Sequence, residues 1–213
     1  MNFFRLIGDL SHLASIFILI QKIMKSRSAR GISFKTQVLY VVVFLTRYID
    51  VISGPYISLY NSIMKVFFIA SSAYIVYLMQ FKYKPTQDPA IDTFRVEYLI
   101  CPCALLSLVF NYKFTVVEVL WAFSIYLEAV AVFPQLFMLH RTGEAETITT
   151  HYLFALGLYR AMYIPNWIYR YVTEDTVDPI AIVSGIVQTG LYADFFYIYF
   201  TRVMRGQKFE LPA

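Results

Sequence analysis

Seven apolar runs alternate with short polar links along the chain, at residues 3–24, 36–54, 60–80, 96–112, 114–139, 149–172 and 179–203. A helix crosses a hydrocarbon core with about 20 apolar residues, within a range of about 17 to 25, so the pattern predicts seven transmembrane helices. The intervening links are KSRSARGISFK, a turn at Gly54-Pro55, FKYKPTQDPAIDTFR, a turn over Asn111 to Lys113, HRTGEAETIT and the acidic TEDTVD. They are too short to hold a second folded unit. The chain therefore reads as one all-α transmembrane domain over 1–213, with helices and links over 1–203 and a short cytosolic tail, 204–213.

Composition agrees with a bilayer as solvent: 59% of the 213 residues are hydrophobic, only 15% are charged, and mean hydropathy is +0.58. The opening MNFFRLIGDLSHLASIFILIQK lacks the basic start and small-residue cleavage site of a secretory signal, and is expected to stay as the first helix. In Cys101-Pro102-Cys103 the two thiols are two residues apart and point in different directions on a helix. Neither a disulfide nor a metal site is expected there; both cysteines read as packing residues.

The net charge of +4 reports topology, not nucleic-acid binding. Twelve of the 18 basic residues lie on one side: Lys22, Lys25, Arg27, Arg30, Lys35, Lys82, Lys84, Arg95, Arg141, Arg202, Arg205 and Lys208. Only Arg5, Lys113 and Arg170 lie on the other, while Arg47, Lys65 and Arg160 fall inside spans. By the positive-inside rule the C-terminus is cytosolic and the N-terminus lumenal or extracellular. A weak repeat at an offset of 114 residues matches Gln21 with Gln135 and Arg27 with Arg141. Two readings stand side by side: halves arranged three plus one plus three, and chance likeness of hydrophobic segments.

An ionisable side chain inside a membrane costs about 2.5 to 3.5 kcal/mol at a helix centre, so each calls for a partner or a purpose. Arg5, Asp9 and His12 share a face of the first helix. Arg47 and Asp50 sit near the end of the second, Glu118, Trp121 and Glu128 share a face of the fifth, and Arg160, Tyr163, Trp167 and Arg170 share one on the sixth. At 1.5 Å rise per residue, Glu128 and Arg160 both fall about 15 Å below Glu118 and Arg170, predicting an ion pair near the midplane. Arg5, Arg47, Asp50, Glu118, Arg170 and Asp178 are then expected to ring a lumenal mouth, with His12 below it. Arginines there fit an anionic ligand by two-point carboxylate recognition, and the acidic residues fit a cationic group of the same ligand. A short peptide with a free carboxylate, acidic side chains and one basic residue meets both requirements. Arg5 and Arg170 also suit a role as anchors near helix ends, and His12 suits both a buried structural histidine and a proton sensor, its place below the mouth favouring the sensor.

The runs MNFFRLIGDLSHLA, KIMKSRSARGIS, FSIYLEAVAVFPQLFM, TGEAETITTHYLF and the final LPA resemble the KDEL receptor family along essentially the whole chain. Pro134-Gln135 is similar to the signature of the wider PQ-loop superfamily, which includes SWEET sugar transporters. The resemblance implies a 3+1+3 fold in Golgi and endoplasmic-reticulum membranes. It also implies binding of soluble proteins bearing C-terminal Lys-Asp-Glu-Leu (KDEL) or His-Asp-Glu-Leu (HDEL) signals in acid, with release near neutrality. By the same resemblance, Arg47 with Tyr48 holds the ligand's terminal carboxylate, and Arg5 and Arg170 meet its Glu and Asp. Asp50, Glu118, Trp121, Tyr163, Asn166 and Trp167 belong to the ligand's surroundings, with Asp178 nearby. Glu128, Tyr159 and Arg160 resemble a buried lock and His12 a proton-sensing histidine. Arg202, Arg205 and Lys208 of the tail are candidates for contact with COPI, and with COPII, coats. The tail departs from the family in separating Arg205 from Lys208 by Gly206-Gln207, where members often have adjacent lysines, and in carrying Glu210 where some members hold a phosphorylatable serine.

No nucleophile, base and orienting group occur together and no metal spacing exists, so the expectation is a receptor without enzyme activity, cofactor or metal. Expected partners are the signal-bearing proteins, membrane lipid and coat components, and no nucleic acid. A PQ-loop transporter of sugars or amino acids is the rival reading, and fixed charges of both signs at one mouth favour a peptide over a sugar. A seven-span signalling receptor shares the topology but calls for longer cytosolic surfaces.

Overall fold

The computed structural model describes residues 2–50, 59–145, 147–205 and 209–210. Its first helix, α1 (Phe3–Ser26), starts where the Asn2 side chain accepts from the Arg5 backbone N–H and ends where Arg27 turns left-handed at φ 51°. Helix α2 (Phe34–Arg47) begins at Ser33, whose hydroxyl accepts from Thr36 N, and stops at Arg47. Helix α3 (Leu59–Tyr77) runs into a wider π turn at Leu78–Lys82. Helix α4 (Glu97–Val109) contains Pro102.

Two of the predicted segments are broken. The fifth divides into α5 (Val116–Val130) and α6 (Phe133–Thr142). Pro134 lacks an N–H and its ring crowds the carbonyl of Val130, so the helix restarts after Ala131-Val132. The seventh divides into α8 (Pro179–Leu191) and α9 (Ala193–Thr201), bent by 43° at Tyr192. Between these pairs runs α7 (Thr147–Glu174), the longest helix at 28 residues, which continues through Pro165.

Three stretches are long and apolar enough to cross a membrane, Phe3–Ser26, Leu59–Lys82 and Val116–Thr142, and the bent α8–α9 pair makes a fourth if it counts as one span. That is fewer, among the described residues, than the seven the hydrophobic pattern predicts. Helices α2 and α4 are short, at 14 and 13 residues. Helix α7 has length to spare but spends positions on Arg160, Asn166 and Arg170. The second segment was expected to reach Gly54-Pro55, which lies outside the described residues, as does Lys208 of the tail. The tail is not wholly separate: Phe209–Glu210 pairs antiparallel with Glu144–Ala145.

Helix α1 lies chiefly along α7, α2 against α5 and α3, α4 against α5, and α8 against both α7 and α5. The α1–α7 approach depends on Gly8, where an added Cβ would come within 2.9 Å of the Tyr163 ring. The apolar core runs through Leu19, Ile23, Leu39, Val43, Met79, Leu127, Leu153 and Tyr192. Cys103 packs into it, whereas Cys101, also expected to pack, is exposed. The two glutamines related by the 114-residue repeat differ as well. Gln21 is exposed, while Gln135 is buried, accepts from Ser33 N at 2.7 Å and donates to Gly31 O at 3.0 Å.

Candidate functional site

A charged cluster lies at the centre of the helix assembly. Glu128 sits midway along Val116–Thr142 and Arg160 midway along α7, and Arg160 Nη2 is 2.9 Å from Glu128 Oε2. Tyr159 donates its hydroxyl to Glu128 Oε1. The rise per residue, which predicted this depth match, left open a third participant. Arg47 Nη1 lies 2.5 Å from the same Oε2, and its Nε and Nη2 bond the Ser124 hydroxyl (3.2 Å) and carbonyl (3.1 Å). Arg47 was expected at the mouth with Asp50 beside it. It is instead drawn toward Glu128, because a fully buried carboxylate attracts a guanidinium more strongly than a half-exposed one does. Asp50 pairs with Lys65 at 2.5 Å, a lysine the sequence placed in a span without a partner.

His12 is buried between two aromatic rings, stacked on Tyr159 at 4.2 Å and on Phe68 at 4.6 Å between centroids. The tyrosine beneath it is the one that bonds Glu128, so the histidine is joined to the cluster through a single ring.

Closer to the start of α1, a second group forms around Asp9. Tyr163 donates to Asp9 Oδ1 at 2.7 Å and Tyr60 to Oδ2 at 3.2 Å, while Arg5 Nε stands 3.9 Å away and is half exposed. Asn2 donates to Asn166 Oδ1 at 2.8 Å. Trp167 packs edge-on to Tyr163 at 5.9 Å, and Tyr48 has Lys65 Nζ over its ring at 5.9 Å.

A third group lies at the junction of α4, α5 and α8. Tyr112 has its ring 6.1 Å from Trp121 and its hydroxyl 2.8 Å from Asp178 Oδ1. Asp178 also accepts from Ala181 N at 3.0 Å and so caps α8, a structural duty in addition to its predicted place at the mouth. Glu118 is half-buried in the first turn of α5. Arg170 is apart from these groups and pairs with Glu174 at 2.8 Å in the exposed last turn of α7.

Sequence reasoning missed Asp9, Lys65, Ser124 and Tyr112 as members of the site, and with them Gln188, whose Oε1 accepts from Arg160 Nε. Asp9 shares a face with Arg5 and His12, and Gln188 is polar in the middle of the apolar α8, so both carried a signal. Ser124 and Tyr112 carried none, since their residue types are common in such segments. Among the described residues no group of His, Cys, Asp and Glu is arranged to hold a metal ion.

Residues 28–170 match the model of a family described as ER lumen protein retaining receptor. The ER lumen protein-retaining receptor of Drosophila melanogaster is 61% identical over 213 residues, covering 100% of both chains. ER lumen protein-retaining receptor 2 of Gallus gallus is 60% identical and that of Homo sapiens 58%, each again over 100% of both chains.

Proposed function

The chain belongs to the ER lumen protein-retaining receptor family, and from that premise we propose that it is a retrieval receptor. It captures soluble endoplasmic-reticulum proteins by a C-terminal KDEL or HDEL signal in the acidic Golgi and releases them in the neutral endoplasmic reticulum. One observation carries the reading: Arg47 and Arg160 share one oxygen of the buried Glu128, so two cations, one buried and one partly buried, meet one anion. A surplus buried cation calls for a further anion. The terminal carboxylate of a peptide supplies it, and Arg47, the last residue of α2 and the more exposed of the two arginines, turns from Glu128 to receive it in two-point geometry.

The other site residues take supporting places. Arg5 and Arg170 are half exposed, each with an i,i+4 carboxylate as its ion-pair partner among the described residues, and meet the ligand's acidic side chains. Tyr48, Asp50, Glu118, Trp121, Tyr163, Asn166, Trp167 and Asp178 surround the ligand's remaining residues. Glu128, Tyr159 and Arg160 form a lock beneath them, with His12 as the proton sensor.

The receptor crosses the membrane seven times in a 3+1+3 arrangement, N-terminus lumenal and C-terminus cytosolic. The packing pairs support this, because each contact in one half has a counterpart in the other. The α1–α7 contact matches that of the α5–α6 span with α2, α2–α3 matches α7–α8, and α1–α3 matches α5–α8. The excess of Lys and Arg in alternate links supports the orientation. Return to the endoplasmic reticulum runs through COPI and outward transport through COPII, with Arg202, Arg205 and Lys208 as the cytosolic contact.

The test is binding of a labelled peptide ending in His-Asp-Glu-Leu, free or amidated at its C-terminus, in mild acid and at neutrality. Tight binding of the free peptide in acid alone is expected. Equal binding of the amidated form overturns the reading.

A further inference from the structure

We propose that Gln188 is a positioning residue for Arg160, and that its amide oxygen is what leaves room for two arginines on one carboxylate oxygen. The inference rests on the reading of Arg47 as the group that receives the peptide carboxylate. Gln188 lies fully buried on α8, and its Oε1 accepts from Arg160 Nε at 2.5 Å. Only the oxygen of an amide can face a guanidinium N–H, so this orientation is set by chemistry. Its Nε2 is then buried without a hydrogen-bond partner among the described residues. Filling space does not account for such a residue, because a methionine occupies similar volume without leaving a buried donor unpaired.

The register that brings the amide to Arg160 is set one turn earlier. At Gly185 an added Cβ would fall 2.2 Å from Trp167 Cη2 and 3.5 Å from Arg160 Cδ. Helix α8 therefore meets α7 with bare backbone at this level, and Gln188 follows directly on the same face.

The consequence is geometric. With Nε committed to Gln188, Arg160 turns Nη2 to Glu128 Oε2 at 2.9 Å, and Arg47 Nη1 takes that oxygen too, at 2.5 Å. If Nε had no acceptor on α8, the Nε and Nη2 edge of Arg160 would turn onto Glu128 as a two-point fork and displace Arg47. A displaced Arg47 is free for the ligand's carboxylate with no pair to break. Gln188 thus stabilises the arrangement in which Arg47 is paired with Glu128 and holds affinity down away from acid.

The experiment measures binding of a fluorescent peptide ending in His-Asp-Glu-Leu, with its amidated control, to the purified full chain from about pH 5 to 8. Wild type, Gln188→Met and Gln188→Glu are compared. Gln188→Met is expected to bind several-fold tighter at neutral pH with little change in acid, compressing the ratio between the two. Gln188→Glu pairs its carboxylate with Arg160, cancels the surplus cation and is expected to weaken binding about tenfold throughout. A wild-type ratio in Gln188→Met, or equal weakening at every pH, makes Gln188 a packing residue and overturns the proposal while leaving Arg47's role standing. Should Gln188→Met fail to fold, unchanged affinity in Gln188→Glu overturns it equally. If the wild type does not distinguish free from amidated peptide, Arg47's role fails and this proposal falls with it.

Discussion

Arg47, the last residue of α2, reaches across to Glu128 on α5 and holds its carboxylate at 2.5 Å. This contact pairs the arginine proposed to receive the peptide carboxylate within the chain itself, and it predicts a substitution that charge alone would not. Arg47→Lys keeps the cation but loses the planar fork and the bonds to Ser124. Peptide affinity is expected to fall by about 2 to 5 kcal/mol in acid, the usual loss on truncating one member of a buried charge pair. Titration calorimetry with the free peptide checks it, and near-wild-type affinity would remove Arg47 from the carboxylate-binding role.

Glu128 is the anion for two arginines and the acceptor for Tyr159, all in the protein interior. Glu128→Ala strands both cations and is expected to lower unfolding stability by about 3 to 5 kcal/mol. Glu128→Gln keeps the shape and isolates the charge. Thermal unfolding of the two variants in detergent decides the matter, and two wild-type melting curves would mean that the cluster contributes nothing to the fold.

His12 touches this cluster through the Tyr159 ring. A proton on its ring adds charge to a cluster that is already one cation in excess, so protonation and binding of an anionic peptide reinforce each other, and by reciprocity each raises the affinity for the other. Affinity is therefore expected to be highest in acid and to decline as pH rises and the His12 proton is lost. One unit of linkage contributes at most about tenfold. His12→Ala is expected to flatten the profile at the low, neutral-pH affinity. An equally steep profile in the variant would assign the proton to another group.

Gly185 gives a steric test of the α7–α8 contact. Gly185→Ala sets a methyl 2.2 Å from Trp167 Cη2, while at Gly190, on the same helix, an added methyl meets nothing within 4 Å. The first change is expected to destabilise by about 1 to 3 kcal/mol and to weaken peptide binding by displacing the tryptophan. The second is expected to leave binding unchanged and to stabilise by up to about 1 kcal/mol. Reversal of that order in melting temperature would contradict the packing.

Replacing Arg202, Arg205 and Lys208 near the C-terminus together with Ser is expected to leave peptide binding intact and to hold the receptor in the Golgi. Its steady-state distribution by microscopy is the measurement, and wild-type distribution would place the return signal elsewhere.

The sequence by itself determined where helical segments lie and which residues share their faces, because a 3.6-residue period and 1.5 Å rise are local properties of the backbone, though it did not determine the breaks at Ala131-Val132 and Tyr192. That is how Arg5, Asp9 and His12 came out on one stripe, and how Glu128 and Arg160 came out at one depth. Family membership was legible in the same way, in unbroken runs such as TGEAETITTHYLF. Only the tertiary structure decided the partners. That Glu128 serves Arg47 as well as Arg160, that Asp50 belongs to Lys65, and that Gln188 holds Arg160 Nε all depend on how separate helices rotate and slide against one another. The partners lie 81, 15 and 28 positions apart in the chain. Rotation and sliding are set by contacts such as Gly8 beneath Tyr163 and Gly185 beneath Trp167. A helical period gives each side chain a face and a depth, but it leaves free the angle at which that face meets its neighbour, and packing of the whole assembly fixes that angle.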